Sequence, residues 1–260
     1  MKSRLRLWLR QWLLLILRLR AGALAAPSKE TITLVISPHP DDETLGCGCL
    51  ISQHSRAESL VHIAFVTDGG ASHPGHPILS PALLAERRKA EALIAAKALG
   101  VPAERCHFLQ APDGRMSDLS LEERGRLGTA LRALMTRVSP TDVYLPFRRD
   151  GSSEHEACFR LFQEALGALH LPVRIFEFPV WSWWSPRLLL GFALSAGRIY
   201  RLRPTADARQ ARAAALDAYQ SQVAPTPPFK DSMLSKLFIS IFLDSDEYFI
   251  ESSTPNHDLL

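Results

Sequence analysis

From residue 31 onward the chain alternates two hydrophobic rhythms. Short apolar runs at 31–37, 60–67, 106–110, 142–147 and 173–179 predict strands, and longer helical patterns at 43–56, 79–99, 121–138 and 154–169 predict helices. The second of these helices stops at Gly100 with Pro102 beyond it, the usual punctuation of a helix C-terminus. Strands that alternate with helices in this way predict a mainly parallel sheet covered on both faces, an α/β fold. No internal repeat or low-complexity tract interrupts it, and residues 27–260 read as one domain.

Residues 1–26 follow a different pattern. On a helix, Leu5, Trp8, Leu9, Trp12, Ile16 and Leu19 recur at three- and four-residue steps, with Arg6, Arg10, Arg18 and Arg20 mainly on the other side. That is a basic amphipathic helix with interfacial tryptophans, suited to lie on an anionic membrane surface. Its uninterrupted apolar run, 12–17, is too short to span a bilayer. Two other readings stand beside membrane contact. The apolar face would dock equally well on the chain's own domain. The Ala23-Leu24-Ala25 triplet also resembles a signal-peptide cleavage site, although Arg18 and Arg20 interrupt the apolar region such a signal needs.

Charge changes the picture only once it is divided. Residues 1–20 hold six basic side chains and no acidic one, so removing them from the chain's 30 leaves 24 basic against 27 acidic. The pI near 8.8 therefore comes from the N-terminal segment. No basic stripe crosses the predicted domain, and nucleic acid is not an expected partner. Cys47, Cys49, Cys106 and Cys158 form neither a disulfide framework nor a four-ligand metal pattern. They read as small buried thiols of a reducing compartment, so the expected location is the cytoplasm, with the inner membrane face as the place where residues 1–20 would act.

The polar residues gather where chemistry would be expected. Pro38-His39-Pro40-Asp41-Asp42-Glu43 follows the first predicted strand, Asp68-Gly69-Gly70 the second, Asp113-Gly114-Arg115 the third, and Arg148–His155 the fourth. In a parallel sheet these four loops open at one edge, where open α/β folds bind ligands. A catalytic zinc needs three nitrogen or oxygen ligands and one open position. His39 and Asp42, three apart on a turn entering a helix, can face one ion, and Asp41 between them can stay unligated as a base. The third ligand must come from another loop, and His155 is placed to supply it. Against this stands a simpler use of Asp41-Asp42-Glu43, as capping and dipole chemistry at a helix start.

The run from Pro38 to Glu43 followed by Thr44-Leu45-Gly46-Cys47-Gly48 resembles the signature of the PIG-L/LmbE-like de-N-acetylases. The likeness continues in Thr67-Asp68-Gly69, Arg88-Lys89-Ala90-Glu91, Pro112-Asp113-Gly114, Glu154-His155-Glu156-Ala157 and Tyr219-Gln220-Ser221-Gln222, across roughly residues 30–225. The resemblance implies a Rossmann-like fold and one zinc, or another divalent ion, held by His39, Asp42 and His155. It makes Asp41 the general base and the reaction the removal of an N-acetyl group from an amino sugar, free or conjugated to a lipid, polysaccharide precursor or natural product. It places Arg88 and Asp113 against sugar hydroxyls or a linked anionic group; a surface arginine and a plain turn residue are the alternatives. One departure stands out. Where the family usually reads His-Pro-Asp-His, this chain reads Ser152-Ser153-Glu154-His155, so a serine replaces a histidine assigned to oxyanion stabilisation or proton donation. Ser152 is expected at the substrate, with Asp41 carrying the proton both ways or His73 or His76 substituting. A metal amidase acting on a non-sugar amide, and a catalytically weakened binding protein on the same fold, remain as alternatives.

Overall fold

The computed structural model describes residues 2–169 and 171–252, with side chains from residue 9 onward. Leu5, Trp8 and His170 lie outside the described side chains. The N-terminal helix is α1 (Lys2–Arg20), followed by a two-residue strand, β1 (Gly22–Ala23). All five expected strands form: β2 (Ile32–Ser37), β3 (Leu60–Thr67), β4 (Cys106–Ala111), β5 (Asp142–Pro146) and β6 (Arg174–Phe178). Between them run α2 (Asp42–Arg56), α3 (Pro81–Ala98), α4 (Leu121–Val138) and α5 (Ser153–Gly167). These strands pair in the order β4-β3-β2-β5-β6, all parallel.

The sheet then continues further than the apolar runs predict. After α6 (Pro186–Ala193), β7 (Arg198–Leu202), α7 (Ala206–Ala218), α8 (Gln220–Val223) and α9 (Lys236–Leu243) comes β8 (Glu247–Ser252). Strand β8 inserts antiparallel between β6 and β7, and β1 closes the edge beside β7. Short runs such as Lys236–Leu243 are apolar on every side, so periodicity alone does not separate helix from strand there. Glu247, at the start of β8, is buried because its carboxylate accepts from the backbone N–H groups of Cys49 (2.7 Å) and Leu50 (2.8 Å) and faces Arg212.

Alternate residues of each strand feed two cores. Leu34 and Ile36 pack with Val143 and Leu145 under α4 and α5, while Val35 packs with Phe65 and Phe176 under α2, α3 and α7. All four cysteines are free, three of them buried. Helix α2 lies close on the sheet because Gly46 has no side chain: a Cβ there would sit 2.2 Å from the Phe178 ring. Helix α1 docks on this body through Leu13 and Leu17, both buried, and Arg20 donates to the carbonyl oxygens of Ala193 and Ser195. Among the described residues no helix is long and apolar enough to cross a membrane.

Topology places the site. The chain leaves β2 toward β3 on one side, while β5 pairs on the other, so the loops after β2 and β5 diverge and open a crevice at their carboxyl ends.

Candidate metal centre

The β2–α2 turn is held from beneath by Glu43, whose side chain is fully buried. One of its oxygens accepts from the Asp41 N–H (3.0 Å); the other accepts from Thr44 Oγ1 (2.5 Å) and from the Tyr219 hydroxyl (2.6 Å). Ser37 Oγ accepts from the Glu43 N–H (3.0 Å) and donates to the His39 carbonyl (2.6 Å). Such a clamp is needed because Asp41 adopts φ 130°, a left-handed conformation that costs a non-glycine residue about 1–3 kcal/mol. The strained backbone sends the Asp41 side chain away from Asp42, so two adjacent carboxylates take different partners.

Asp42 and the two histidines converge. Asp42 Oδ2 lies 3.0 Å from His39 Nδ1 and 3.1 Å from His155 Nε2, and it also accepts from the His39 N–H. His155 is fully buried, and its Nδ1 lies 2.9 Å from Asp150 Oδ2. Asp150 also accepts from the N–H groups of Val180, Trp181 and Ser182 and from the Ser182 hydroxyl. A carboxylate held by so many donors is fixed in place as the acceptor for the His155 Nδ1–H. His155 Nε2 is left as the nitrogen facing Asp42, buried and without a well-directed hydrogen bond, and it becomes a ligand atom once a cation displaces its proton. A carboxylate behind a histidine whose far nitrogen faces another ligand is the usual support of a metal-binding imidazole. His39, Asp42 and His155 therefore fit a divalent cation, and their ligand atoms lie within 4.8 Å of one another.

Electrostatics agree. Burial pulls both imidazolium groups down, yet the surrounding carboxylates outweigh it. Asp113, Asp42 and Glu154 hold His39 well above its ordinary pKa, and Asp42 and Asp150 bring His155 up to about 9. Burial would raise Asp42, but His155 and His39 hold it well below the usual carboxylate range. The pocket is short of positive charge, and protons on two histidines are one way of supplying it. A divalent ion is another.

Asp41 sits apart, its carboxylate 3.0 Å from Arg88 Nη2. Burial pushes it up to about 7, against the downward pull of the Arg88 guanidinium. A buried carboxyl near neutrality in a cleft suits a general base. Arg88 itself is buried rather than on the surface. It donates to Asp41, to the carbonyl of Gly69 (3.1 Å) and to that of Pro40, which leaves it holding the turn as much as facing a ligand.

The remaining expected residues separate. Asp113 accepts from the Ala71 N–H (2.9 Å) and reaches within 3.3 Å of His39 Nε2. Ser152 instead caps α5, its Oγ accepting from the His155 N–H at 3.4 Å, and it does not line the cleft. His73 stacks on Phe229 and contacts Ser72, also outside the cleft lining. Two residues had no assigned role in the sequence reading: Asp150, and Glu154, whose Oε2 lies 2.7 Å from His39 Nε2. Glu154 is anchored by the N–H groups of Gly114 (3.1 Å) and Met116 (2.8 Å). Asp150 lies in the loop before α5 and Glu154 in its first turn, both just ahead of His155, but only the folded chain shows which imidazole each one serves. The cleft encloses about 250 Å³, with His39, Asp41, Asp42, Arg88 and Asp113 on one wall and Val180, Trp181, Met233, Leu234 and Phe238 on the other. A larger groove of about 840 Å³ runs beneath residues 21–27 and carries none of the candidate ligands.

Comparison with known proteins gives the fold and the family. A 1D-myo-inositol 2-acetamido-2-deoxy-alpha-D-glucopyranoside deacetylase of Kineococcus radiotolerans is 37% identical over 84 residues, 31% of this chain but only 23% of that protein's length. An N,N'-diacetylchitobiose deacetylase of Pyrococcus horikoshii shares the fold with a TM-score of 0.65 at 21% identity, over 100% of this chain and 98% of that one. A 4-carboxy-2-hydroxymuconate hydratase of Pseudomonas putida also shares it, with a TM-score of 0.56 at 19% identity over 74% and 80% of the two chains. Residues 34–166, which carry the β2–α2 turn, Arg88, Asp113 and the His155 loop, match the GlcNAc-PI de-N-acetylase family, and the chain belongs to this PIG-L family.

Proposed function

We propose that the chain is a metal-dependent N-deacetylase that hydrolyses the acetamide of an amino sugar, free or conjugated. The observation that carries this reading is the fully buried Nε2 of His155, without a well-directed hydrogen bond, beside Asp42 Oδ2 and fixed from behind by Asp150. His39, Asp42 and His155 would hold the ion, zinc by the nature of the donors, and Glu154 orients His39 through Nε2. Such an ion, when bound, polarises the amide carbonyl and acidifies a water.

The chain's own residues do the rest. Asp41 accepts a proton from the attacking water as its oxygen bonds to the amide carbon. When the tetrahedral intermediate collapses and the C–N bond breaks, the same carboxyl returns that proton to the departing amine. A pKa near 7 suits both halves of this transfer. With Ser152 engaged in capping α5, no imidazole stands at that position to share the task. Asp113 and Arg88 line the polar wall where sugar hydroxyls would lie, and Trp181 offers an aromatic face opposite them. Peripheral contact of residues 1–20 with a membrane belongs to the same reading, since it would bring a lipid-linked sugar within reach.

The apolar wall of the cleft favours a second reading, an amidase acting on a non-sugar amide. Both are tested together by measuring acetate release from N-acetylglucosaminides and from simple acetamides, alongside metal content. Sugar-selective acetate release by protein holding one equivalent of metal supports the first reading. Protein that binds no metal, or whose turnover survives Asp41→Asn, would overturn both. With metal bound, Asp41→Asn is expected to lower turnover by about 10²–10⁴-fold, the contribution of a positioned base, while metal content stays unchanged.

A further inference from the structure

Docking leaves α1 with a second apolar side. Leu13 and Leu17 are buried, yet Leu9, Leu15 and Leu19 point outward, the last 77% exposed. The neighbouring α6 leaves Leu190 and Leu194 out as well, the latter 59% exposed. Just before α6, Trp184 is exposed with its ring 5.6 Å from Phe238 of α9, and the adjacent Leu237 is 67% exposed. Nine of the fifteen large apolar side chains exposed among the described residues fall in α1, residues 181–194 and α9. Single exposed apolar residues need no explanation, but a contiguous set does.

Charge follows the same outline. Residues 1–29 and 178–206 together hold eleven Lys and Arg and not one Asp or Glu. Taking these eleven from the chain's 30 leaves 19 basic against 27 acidic, so the acid-free segments sit on a body of opposite sign. Lys29 and Arg201 are paired with Glu58 and Asp246, but apolar side chains beside the exposed Arg18, Arg187 and Arg203 match the boundary between acyl chains and anionic headgroups. They do not match a second copy of the chain, which would bring two cationic faces together. The face also reaches the cleft: Trp181 and Phe238, 5.2 Å apart, both line the wall opposite His39.

We propose that α1, α6 and the start of α9 form one docking surface for an anionic bilayer, which holds the mouth of the metal centre at the lipid–water boundary. The surface is thus a property of the folded chain, wider than residues 1–20, and it stands whether or not the deacetylase reading does.

Flotation of the full chain with vesicles tests it, using phosphatidylcholine alone and phosphatidylcholine with about one-third phosphatidylglycerol. Binding to the anionic vesicles that weakens with salt is expected. A Leu194→Glu/Leu237→Glu variant, altered only at exposed positions outside α1, should bind at least about tenfold less. Leu121→Glu, at a position 90% exposed on α4 beyond the other face of the sheet, should bind like the unaltered chain. Circular dichroism and thermal unfolding report whether each variant keeps its fold. If the first variant unfolds, Arg187→Glu/Arg203→Glu reads the charge half of the surface at two exposed positions and should lose the anionic preference. The proposal is overturned by no binding to anionic vesicles at low salt, or by unchanged binding of folded variants, which would reduce the surface to residues 1–20 alone. Self-association that covers the face without vesicle binding would overturn it too.

Discussion

Asp41, Asp42 and Glu43 are three consecutive acids with three different tasks, and their backbone decides which is which. The φ of 130° at Asp41 swings its carboxyl to Arg88, while Asp42 faces the two histidines and Glu43 turns inward to Tyr219. Arg88 lowers the Asp41 pKa against burial, so removing its charge should raise that pKa. A base must be deprotonated, so activity should rise with pH through the Asp41 titration. That acid limb is expected at or below about 7 in metal-loaded enzyme, because a nearby cation also favours the carboxylate. In Arg88→Gln the limb should move to higher pH and kcat should fall with little change in KM. A rise in KM with an unmoved limb would return Arg88 to sugar binding. Asp150→Asn, which removes the support of His155, should weaken metal affinity by about 10–100-fold, measured by competition with a chelating dye.

At the scale of elements, the site depends on how closely α2 approaches its neighbours. Gly46 lets the helix lie against Phe178 of β6, and Gly48 does the same against Arg212 of α7, where a Cβ would come within 2.8 Å of Cγ. Gly46→Ala is expected to cost about 1–3 kcal/mol in denaturant unfolding, because the Phe178 ring must move to make room. Any gain in helix propensity is smaller than that. The loops after β3 and β4 are likewise tied together: Asp68 Oδ1 accepts from the Gly70 and Asp113 N–H groups, and Asp113 accepts from Ala71. The Tyr219–Gln222 segment supplies struts rather than chemistry, with Tyr219 on Glu43 and Ser221 donating to Glu91 through both its N–H (2.8 Å) and its hydroxyl (2.6 Å).

For the whole molecule, metal and folding are linked through His155. Its pKa of about 9 in the folded chain lies above the ordinary 6.5, so the bound proton stabilises the metal-free fold fully below pH 6.5. That contribution is lost as pH rises through about 9. A metal ion must displace this proton, so its apparent affinity should strengthen across the same window. Added zinc should therefore raise Tm more at pH 8 than at pH 6.5, reaching about 2.7 kcal/mol at a hundred times Kd. No increase in Tm at either pH would count against the metal centre.

The alternation of apolar runs with helical stretches was enough to locate β2 to β6 and α2 to α5, because buried parallel strands and amphipathic helices leave local signals. That the Pro38–Glu43 turn and His155 would meet was equally legible, since loops after parallel strands open at one sheet edge, and the fold brings His39, Asp42 and His155 together. Strands β7 and β8 were not, because short half-polar strands gain their identity from partners distant in the chain. The same holds for Asp150 and Glu154, whose roles depend on which imidazole the fold brings within 3 Å, and for Ser152, whose hydroxyl the helix end claimed. The N-terminal helix shows the division most clearly. Its amphipathic pattern was in the sequence, but a pattern states only that one face seeks apolar cover. That α6 covers part of it, and that the rest joins an exposed basic surface beside the cleft, was decided by packing between segments some 170 residues apart.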